Sequence, residues 1–581
     1  MDPLPQGDTA SWPGLAGHSS SGQGSPGPCP DRVSCRKSSS DRYVTYRTYR
    51  QAMADIFDAY ALADAWDEMF ERPGEVRTAY EPVLAALQPI EPGELRFRAD
   101  QMARAFTDRG VTYAFAGEER PWPLDLVPRI LDALEWDLIQ RGVSQRVRAL
   151  EAYLSDAYGP CRAFEDGVVP WRLLLNSPHF HRAAHGIEPP GGVRIHVAGI
   201  DLVRDEAGDF RVLEDNVRVP SGVSYVIENR RAMTRIFPSL FAEQHVVPVD
   251  GYAQRLLAAL RAAAPDGAGD PRVVVLTPGP SNAAYFEHAL LARLMGVQLV
   301  EGHDLVCRNN RVWMRTTRGE MPVHVVYRRL DDDFLDPLHF RPDSVIGCPG
   351  ILSAAQAGTV TLANAVGNGI ADDKLLYTYV PDLIRYYLGE EPVLPNVESY
   401  RPDEPGQLDA VLDQIDQLVI KPVDGAGGQG IVIGPKADRD TLERTRESVA
   451  ADPRGWIAQR PVALSTSPTL AGDRMAPRHI DLRPFAVNDG TDVWVLPGGL
   501  TRVALQEGNL IVNSSQGGGS KDTWVLAEGP AELPQVLDLA RTGGTPVAED
   551  PDGGRTALDV VPRQLGPDGD RGVVQEGAQQ Q

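Results

Sequence analysis

The sequence predicts a mixed α/β and α+β protein, and three patterns carry that prediction. Apolar residues recur at helical spacing through residues 50–160, as in YEPVLAALQPI and VPRILDALEWDLIQRGVSQRVRALEAYLSDAYG, so the N-terminal region is expected to be mainly helical. From Val193 the period becomes that of strands: RIHVAGIDLV and FRVLEDNVRV flank RDEAGD, a hairpin pattern. VVVLTPGPSNAAYFEHALLARLMGVQLVEG then runs strand, Gly/Pro loop, helix, strand, the order of a βαβ unit.

Taken in order, residues 1–40 hold 6 Gly, 6 Pro and 9 Ser with almost no apolar periodicity, which predicts a disordered extension. Helices resume near Gly222 and run to about Ala264, after the hairpin and before the βαβ unit. VHVVYRR is the next expected strand. The uncharged run Ser344–Ala371 is too polar and too broken by glycine for a membrane span, and reads as a buried loop and helix. A helix at DDKLLYTYVPDLIRYYLG follows, and then residues 418–434 and 478–503 with an antiparallel-sheet pattern. Residues 541–581, rich in Gly, Pro, Asp and Gln, again predict disorder.

Composition bounds the function. A chain of 581 residues suggests about three or four domains. Its formal charge of −23 disfavours nucleic-acid backbones and anionic membrane surfaces, so an anionic ligand must be met by local Lys and Arg. The 5 cysteines form no CxxC pair, which points away from a disulfide framework or a zinc site and fits a reducing cytoplasm. The first residues lack the basic and apolar regions of a signal peptide.

Three constellations could do chemistry. In the hairpin, a turn centred between Ala207 and Gly208 places Asp201 opposite Glu214, with Asn216 on the face of Glu214. Opposed carboxylates need a positive charge between them, which Mg²⁺ would supply; the alternative is a solvated hairpin face. In LVIKPVDGAGGQGIVIG, Gly425, Gly427 and Gly430 satisfy GxGxxG, but the segment continues as a strand, which fails the dinucleotide context, and no GK[ST] follows. A glycine flap over phosphates remains, with Lys421 beside it; a Gly-rich hairpin turn is the alternative. Lys374 opens a helix and alone would be solvated surface, but two lysines and a flap in an acidic protein point to a polyphosphate.

This set resembles the ATP-grasp superfamily in an altered order, because Asp201, Glu214 and Asn216 precede Lys374 and Lys421. VLEDNVRVPSGVSYVIENRRAM, VYRRLDDDFLDP, IADDKLLYTYVPDL, KPVDGAGGQG and NSSQGGGSKDTWVL resemble the blocks of the circularly permuted ATP-grasp proteins of type 2, a family similar in permutation to glutathionylspermidine synthetase, over about residues 55–526. Composition and periodicity give a disordered extension at 1–42, a mainly helical region at 43–190 and a disordered tail at 541–581, and neither tail belongs to the resemblance. The resemblance implies a permuted metal-binding segment at 191–264, a pre-ATP-grasp-like α/β domain at 265–350 and a nucleotide-binding lobe at 351–540. It implies Mg²⁺ ligands at Asp201, Glu214 and Asn216, ATP-phosphate ligands at Lys374 and Lys421, and a flap of Gly425, Gly427, Gly428 and Gly430. Gln459 in WIAQRPV takes the adenine-hinge position. In RHIDLRPF, Ile480 and Leu482 share one strand face, with His479, Asp481 and Arg483 on the other. Arg483 is the candidate for stabilising the transferring phosphoryl group, with a salt bridge to Asp481 or a neighbour as its alternative. Arg328 and Arg329 could bind an anionic substrate or fix a domain interface, and the loop of Ser514, Ser515 and Lys521 could close the site.

The activity so implied is ATP- and Mg²⁺-dependent ligation of a carboxylate to an amine, of peptide type, through an acyl phosphate. Phosphotransfer at the same site, or a non-catalytic ATP-binding module, are the rival readings. Family context further implies an alpha-E protein and a transglutaminase-like protein as partners, with neither nucleic acid nor membrane.

Overall fold

The computed structural model describes residues 56–115, 118–423, 430–512 and 517–527. The predicted tails, together with Gly425, Gly427, Gly428, Ser514 and Ser515, lie outside the described residues.

Among the described residues there are eight sheets, and four of them frame the candidate site. The βαβ unit forms as expected: Val273–Leu276, helix Tyr285–Met295 and Gln298–Val300 belong to a parallel sheet ordered 361–363, 325–328, 273–276, 298–300. Its two central strands, VVVL and VVYR, are buried at every position, as in a sheet covered on both faces. Gly296 ends the crossover helix at φ 68°, a left-handed cap that glycine adopts without strain. The fourth strand, Thr361–Ala363, comes from the run read as loop and helix and lies beyond the 350 boundary.

The hairpin Val197–Arg204 and Phe210–Asn216 also forms, but its register is subtler than a simple turn gives. Near the turn Leu202 faces Val212 and Arg204 faces Phe210, so the pairing is centred on Ala207. A bulge then inserts Leu213, and Asp201 comes to face Glu214. The expected pair is therefore met through a bulge, not through the expected turn. Phe485–Asn488, from much later in the chain, completes the sheet by pairing with Val197–Gly199 and with Val493–Val495.

The segments 418–434 and 478–503 do not share one sheet. Val419–Pro422 and Val432–Ile433 join Trp456–Gln459 and Ser399–Tyr400 over a small core of Val411, Ile415, Leu418, Ile420, Val449 and Ala458. Thr501–Val503 instead pairs with Gly519–Val525, whose other neighbour is Leu124–Leu131.

That last strand corrects the helical reading of VPRIL, although helices hold more of the described residues up to 190 than strands do. LDLVPRIL is an eight-residue strand, Leu124–Leu131, buried throughout, Asp125 and Arg129 included. A short segment of mixed apolar and charged residues has no clear period to separate strand from helix. The helix begins only at Ala133, where Asp132 accepts from the Glu135 backbone N–H at 2.8 Å and Glu135 reaches back, a capping box that ends the strand. It then runs to Ala157. Among the described residues no helix is long and apolar enough to cross a membrane.

Candidate active site

One cavity of about 240 Å³ is lined by Asp201, Glu214, Asn216, Lys374, Lys421, Gln459 and Arg483, every predicted site residue among those described except Gly430. Three separate elements bring them together.

The hairpin wall carries the acids. Glu214 and Asn216 face the cavity, while Asp215 between them is tied into the core, accepting from Arg146 Nε at 2.5 Å and Nη2 at 2.8 Å. Strand alternation and that buried pair fix which way the wall faces. Opposite Glu214, Asp201 accepts from Arg483 Nε at 2.5 Å and Nη2 at 2.8 Å, and from Arg502 Nη2 at 2.7 Å. Burial would raise this carboxyl, but the two guanidinium groups overcome it and bring it down to about 2. Gly199 gives Arg483 its path: a Cβ there would lie 3.2 Å from Arg483 Cδ. Arg483 thus forms the ion pair that was the alternative to its phosphoryl role, with Asp201 as partner and not Asp481. Arg502 bridges Asp201 to Asp481, and burial pushes the Asp481 carboxyl up.

The second element is the short helix Lys374–Tyr377. Asp373 caps it by accepting from the Leu375 N–H at 2.8 Å, and Tyr377 anchors it to the hairpin by donating to the Val212 carbonyl at 2.6 Å. Lys374 Nζ consequently lies 3.5 Å from Glu214 and donates to the Val423 carbonyl at 3.3 Å.

The third is the strand pair Val419–Pro422 and Trp456–Gln459. Val419 faces Gln459 and Lys421 faces Ile457, so these four share the cavity face while Ile420 and Ala458 pack into the small core. Desolvation in the cleft pushes the Lys421 ammonium down to about 8, against the pull of Glu214 and Asp201. Gln459 is buried and donates to Ser399 Oγ at 3.0 Å. Val419, Ile433, Val462 and Leu510 make this end of the cavity apolar.

Residues with no sequence-based assignment complete the lining: Arg502, Asp372, Arg218 and His179. Arg218 lies two residues past Asn216 and Asp372 two before Lys374, so extending each motif by one alternation would have reached both. Arg328 and Arg329 do not line the cavity. Arg328 donates to the carbonyls of Asn364, Leu330 and Ala365, and Arg329 to Glu287 at 2.9 Å, all buried, so both guanidinium groups are spent inside the protein. Lys521 is buried in a strand against Asp125, away from the cavity.

The donor set suits Mg²⁺. Two carboxylates and an amide are hard oxygen donors, fewer than a full cage, as fits an ion that completes its shell with water and phosphate oxygens, but both Asp201 oxygens also accept from Arg483 and Arg502, so the ion would share them with the guanidinium groups. Among the described residues no cluster of three His, Cys, Asp or Glu side chains forms a metal cage. Asn216 Nδ2 is buried without a hydrogen-bond partner; it is a donor, and the atom a cation would take is the amide oxygen Oδ1.

The family model of circularly permuted ATP-grasp type 2 matches residues 128–504. The chain belongs to this family. The circularly permuted ATP-grasp match spans the hairpin, both lysines and Arg483. An uncharacterised Mycobacterium tuberculosis protein is 60% identical over 484 residues, covering 83% of this chain and 88% of its own length. An uncharacterised Synechocystis protein is 48% identical over 472 residues, covering 81% and 98%. A Frankia casuarinae protein carrying a provisional glutamate–cysteine ligase name is 46% identical over 464 residues, covering 79% of this chain but 53% of its own length. Among solved structures, a glutathione synthetase-like effector of Globodera pallida in its apo form superposes with a TM-score of 0.51 at 12% identity, over 75% of this chain and 98% of that one, a likeness of fold.

Proposed function

We propose that this cavity binds MgATP and ligates a carboxylate to an amine through an acyl phosphate. The observation that supports it most is the convergence of two lysines, opposed carboxylates and an apolar slot in one cleft. The base would lie between Val419, Ile433, Val462 and Leu510, with Gln459 at its edge, and the phosphates would run toward Lys374 and Lys421.

Asp201, Glu214 and Asn216 would hold Mg²⁺, which when bound supplies positive charge to the phosphate oxygens. Lys374 and Lys421 add charge to the same oxygens, and phosphate would restore the full charge of Lys421 that desolvation weakens. Arg483, fixed by Asp201 at the cavity wall, contributes a positive field from a position that needs no reorganisation. A substrate carboxylate attacking the γ-phosphorus expels ADP, and an amine attacking the acyl carbon then expels phosphate. The name of the Frankia relative is consistent with an acid and an amine as co-substrates, and the partners implied by the family, an alpha-E protein and a transglutaminase-like protein, fit a peptide-type product.

Incubation with MgATP, candidate acids and hydroxylamine tests this reading. ADP and a hydroxamate are expected, whereas AMP and pyrophosphate would show adenylate chemistry and refute it.

A further inference from the structure

The fold brings together two cysteines that no motif pairs. Cys307 and Cys348 lie 41 positions apart, yet their Sγ atoms are 3.6 Å from each other in a thiol–thiol hydrogen bond. Cys307 sits on the strand Leu305–Arg308, where it faces Val312 of the strand Arg311–Thr316. Alternation puts it on the side of buried Leu305, away from exposed Arg308. Cys348 precedes the helix Ile351–Gln356 and is fully buried, whereas Cys307 is half-buried.

The segment that carries Cys348 is pinned beside that strand. The Cys348 N–H donates to the Leu335 carbonyl at 2.9 Å, and the Asp336 carboxylate accepts from the Gly350 and Leu352 N–H groups at 3.0 Å each. Glycines let the backbones touch: a Cβ on Gly347 would run into the Phe334 and Leu335 carbonyl oxygens, and one on Gly302 into those of Ile346 and Gly347. Gly350, at φ 87°, passes so close that a Cβ there would lie 3.2 Å from Cys307 Cβ. Disulfide sulfurs stand about 2 Å apart, so closing a bond asks each sulfur to move less than about 1 Å.

The two thiols are unequal. The contact with Cys348 holds the Cys307 thiol below its usual range, while that same contact and burial push the Cys348 thiol up. The partly exposed sulfur is thus the better nucleophile, and the buried one waits behind it. Among the described residues no group of three His, Cys, Asp or Glu could hold a metal ion, so the pair is not half of a metal site. Cys161, the remaining described cysteine, donates to the Ala157 and Gly159 carbonyls and has no second sulfur beside it.

We propose that Cys307 and Cys348 are a peroxide-reactive dithiol that closes to a reversible disulfide. The Cys307 thiolate attacks one oxygen of hydrogen peroxide, the O–O bond breaks, and Cys307 becomes a sulfenic acid while hydroxide leaves and takes up the thiol's proton as water. The Cys348 sulfur then attacks the Cys307 sulfur; the S–S bond forms, the S–O bond breaks, and hydroxide leaves with the Cys348 proton as a second water. Two electrons pass from the thiols to the peroxide. The bond clamps the three strands of residues 305–323 to the segment that leads through Thr361–Ala363 to Asn364, whose side chain accepts from the His196 and Val197 N–H groups. It braces the frame behind the hairpin, and neither cysteine lines the cavity.

The test uses the full-length protein, reduced, freed of reductant, exposed to hydrogen peroxide in steps, alkylated in denaturant and digested without reduction. A cross-linked Cys307–Cys348 peptide is expected at least about tenfold over any other cysteine pairing, Cys29 and Cys35 included, and dithiothreitol should remove it. The oxidised protein should unfold at a higher denaturant concentration than the reduced one, because the link closes a long loop in the unfolded chain. Cys348→Ala is expected to lose that peroxide-dependent rise. Cys307 and Cys348 both alkylated after Cys161 has oxidised would mean that the pair is core packing only, and would overturn the assignment. A cross-link that lowers the unfolding midpoint, or a rise that persists in Cys348→Ala, would overturn it as well.

Discussion

Two buried arginine clusters meet at Ser221. On one side Arg329 donates to Ser221 Oγ, the Pro220 carbonyl and Glu287; on the other Arg483 donates to the Ser221 carbonyl and to Asp201. Both clusters are guanidinium–carboxylate networks sunk in the protein, yet they serve different ends. Glu287 is saturated by Arg329, the N–H groups of Gly222 and Ser224 and the Ser224 hydroxyl, and Arg328 by three carbonyls and Asp332. None of these groups lines the cavity. Asp201, Arg483 and Arg502 all do, beside a glutamate, two lysines and an asparagine with an unpartnered amide. Burial and pairing alone do not mark a site, since the first cluster has both. A site is marked where such a network opens onto a cleft with groups whose capacity is unspent.

This contrast can be broken most sharply at Arg329. Arg329→Ala strands Glu287 in the interior and is expected to cost about 3–5 kcal/mol of stability. Denaturant unfolding should show that loss, while the nucleotide affinity of the folded fraction stays at the wild-type value. A loss of nucleotide affinity with no loss of stability would move Arg329 to the functional side.

The next effect is a pH dependence on the structural side. His196 donates its backbone N–H to Asn364, whose carbonyl accepts from Arg328, and its ring is buried with neither nitrogen hydrogen-bonded. Burial holds the imidazole down to about 4. The unfolded chain therefore binds a proton near pH 6.5 that the folded chain refuses, so stability is full above that pH and is lost as pH falls toward 4. Between pH 7 and pH 5 this one group should remove about 2 kcal/mol. Unfolding free energies of His196→Leu at the two pH values should show a dependence smaller by that amount; an unchanged dependence would mean the wild-type ring is not buried neutral.

The smallest effect belongs to the cleft. Gln459→Ala removes a hydrogen-bonding side chain from the hinge position and should weaken MgATP about fivefold, about 1 kcal/mol, as read by equilibrium titration. An unchanged affinity would put the adenine elsewhere.

The sequence disclosed the cleft better than it disclosed the frame around it. Glu214, Asn216, Lys374 and Lys421 are legible because alternation and a helix start expose them at fixed spacing, whereas Asp201 faces Glu214 only through the bulge at Leu213. The partner of Arg483 is not legible, since only the pairing of strands distant in the chain sets Arg483 across Gly199 onto Asp201. The Leu124–Leu131 strand is not legible as a strand because its sheet neighbour among the described residues, Gly519–Val525, lies nearly 400 positions further along the chain. Arg328 and Arg329 could not be decided from charge, because their partners include backbone carbonyls that carry no sequence signal.

The central claim is that the Asp201–Glu214 hairpin is a metal-dependent nucleotide site and not a structural ion-pair network. ATP affinity measured with and without Mg²⁺, in wild type and Glu214→Ala, tests it most directly. Glu214 is partly exposed, so its removal should leave the unfolding midpoint near that of the wild type. Mg²⁺ should tighten ATP binding by at least about tenfold in the wild type and by little in the variant. An equal Mg²⁺ effect in both proteins would contradict the claim.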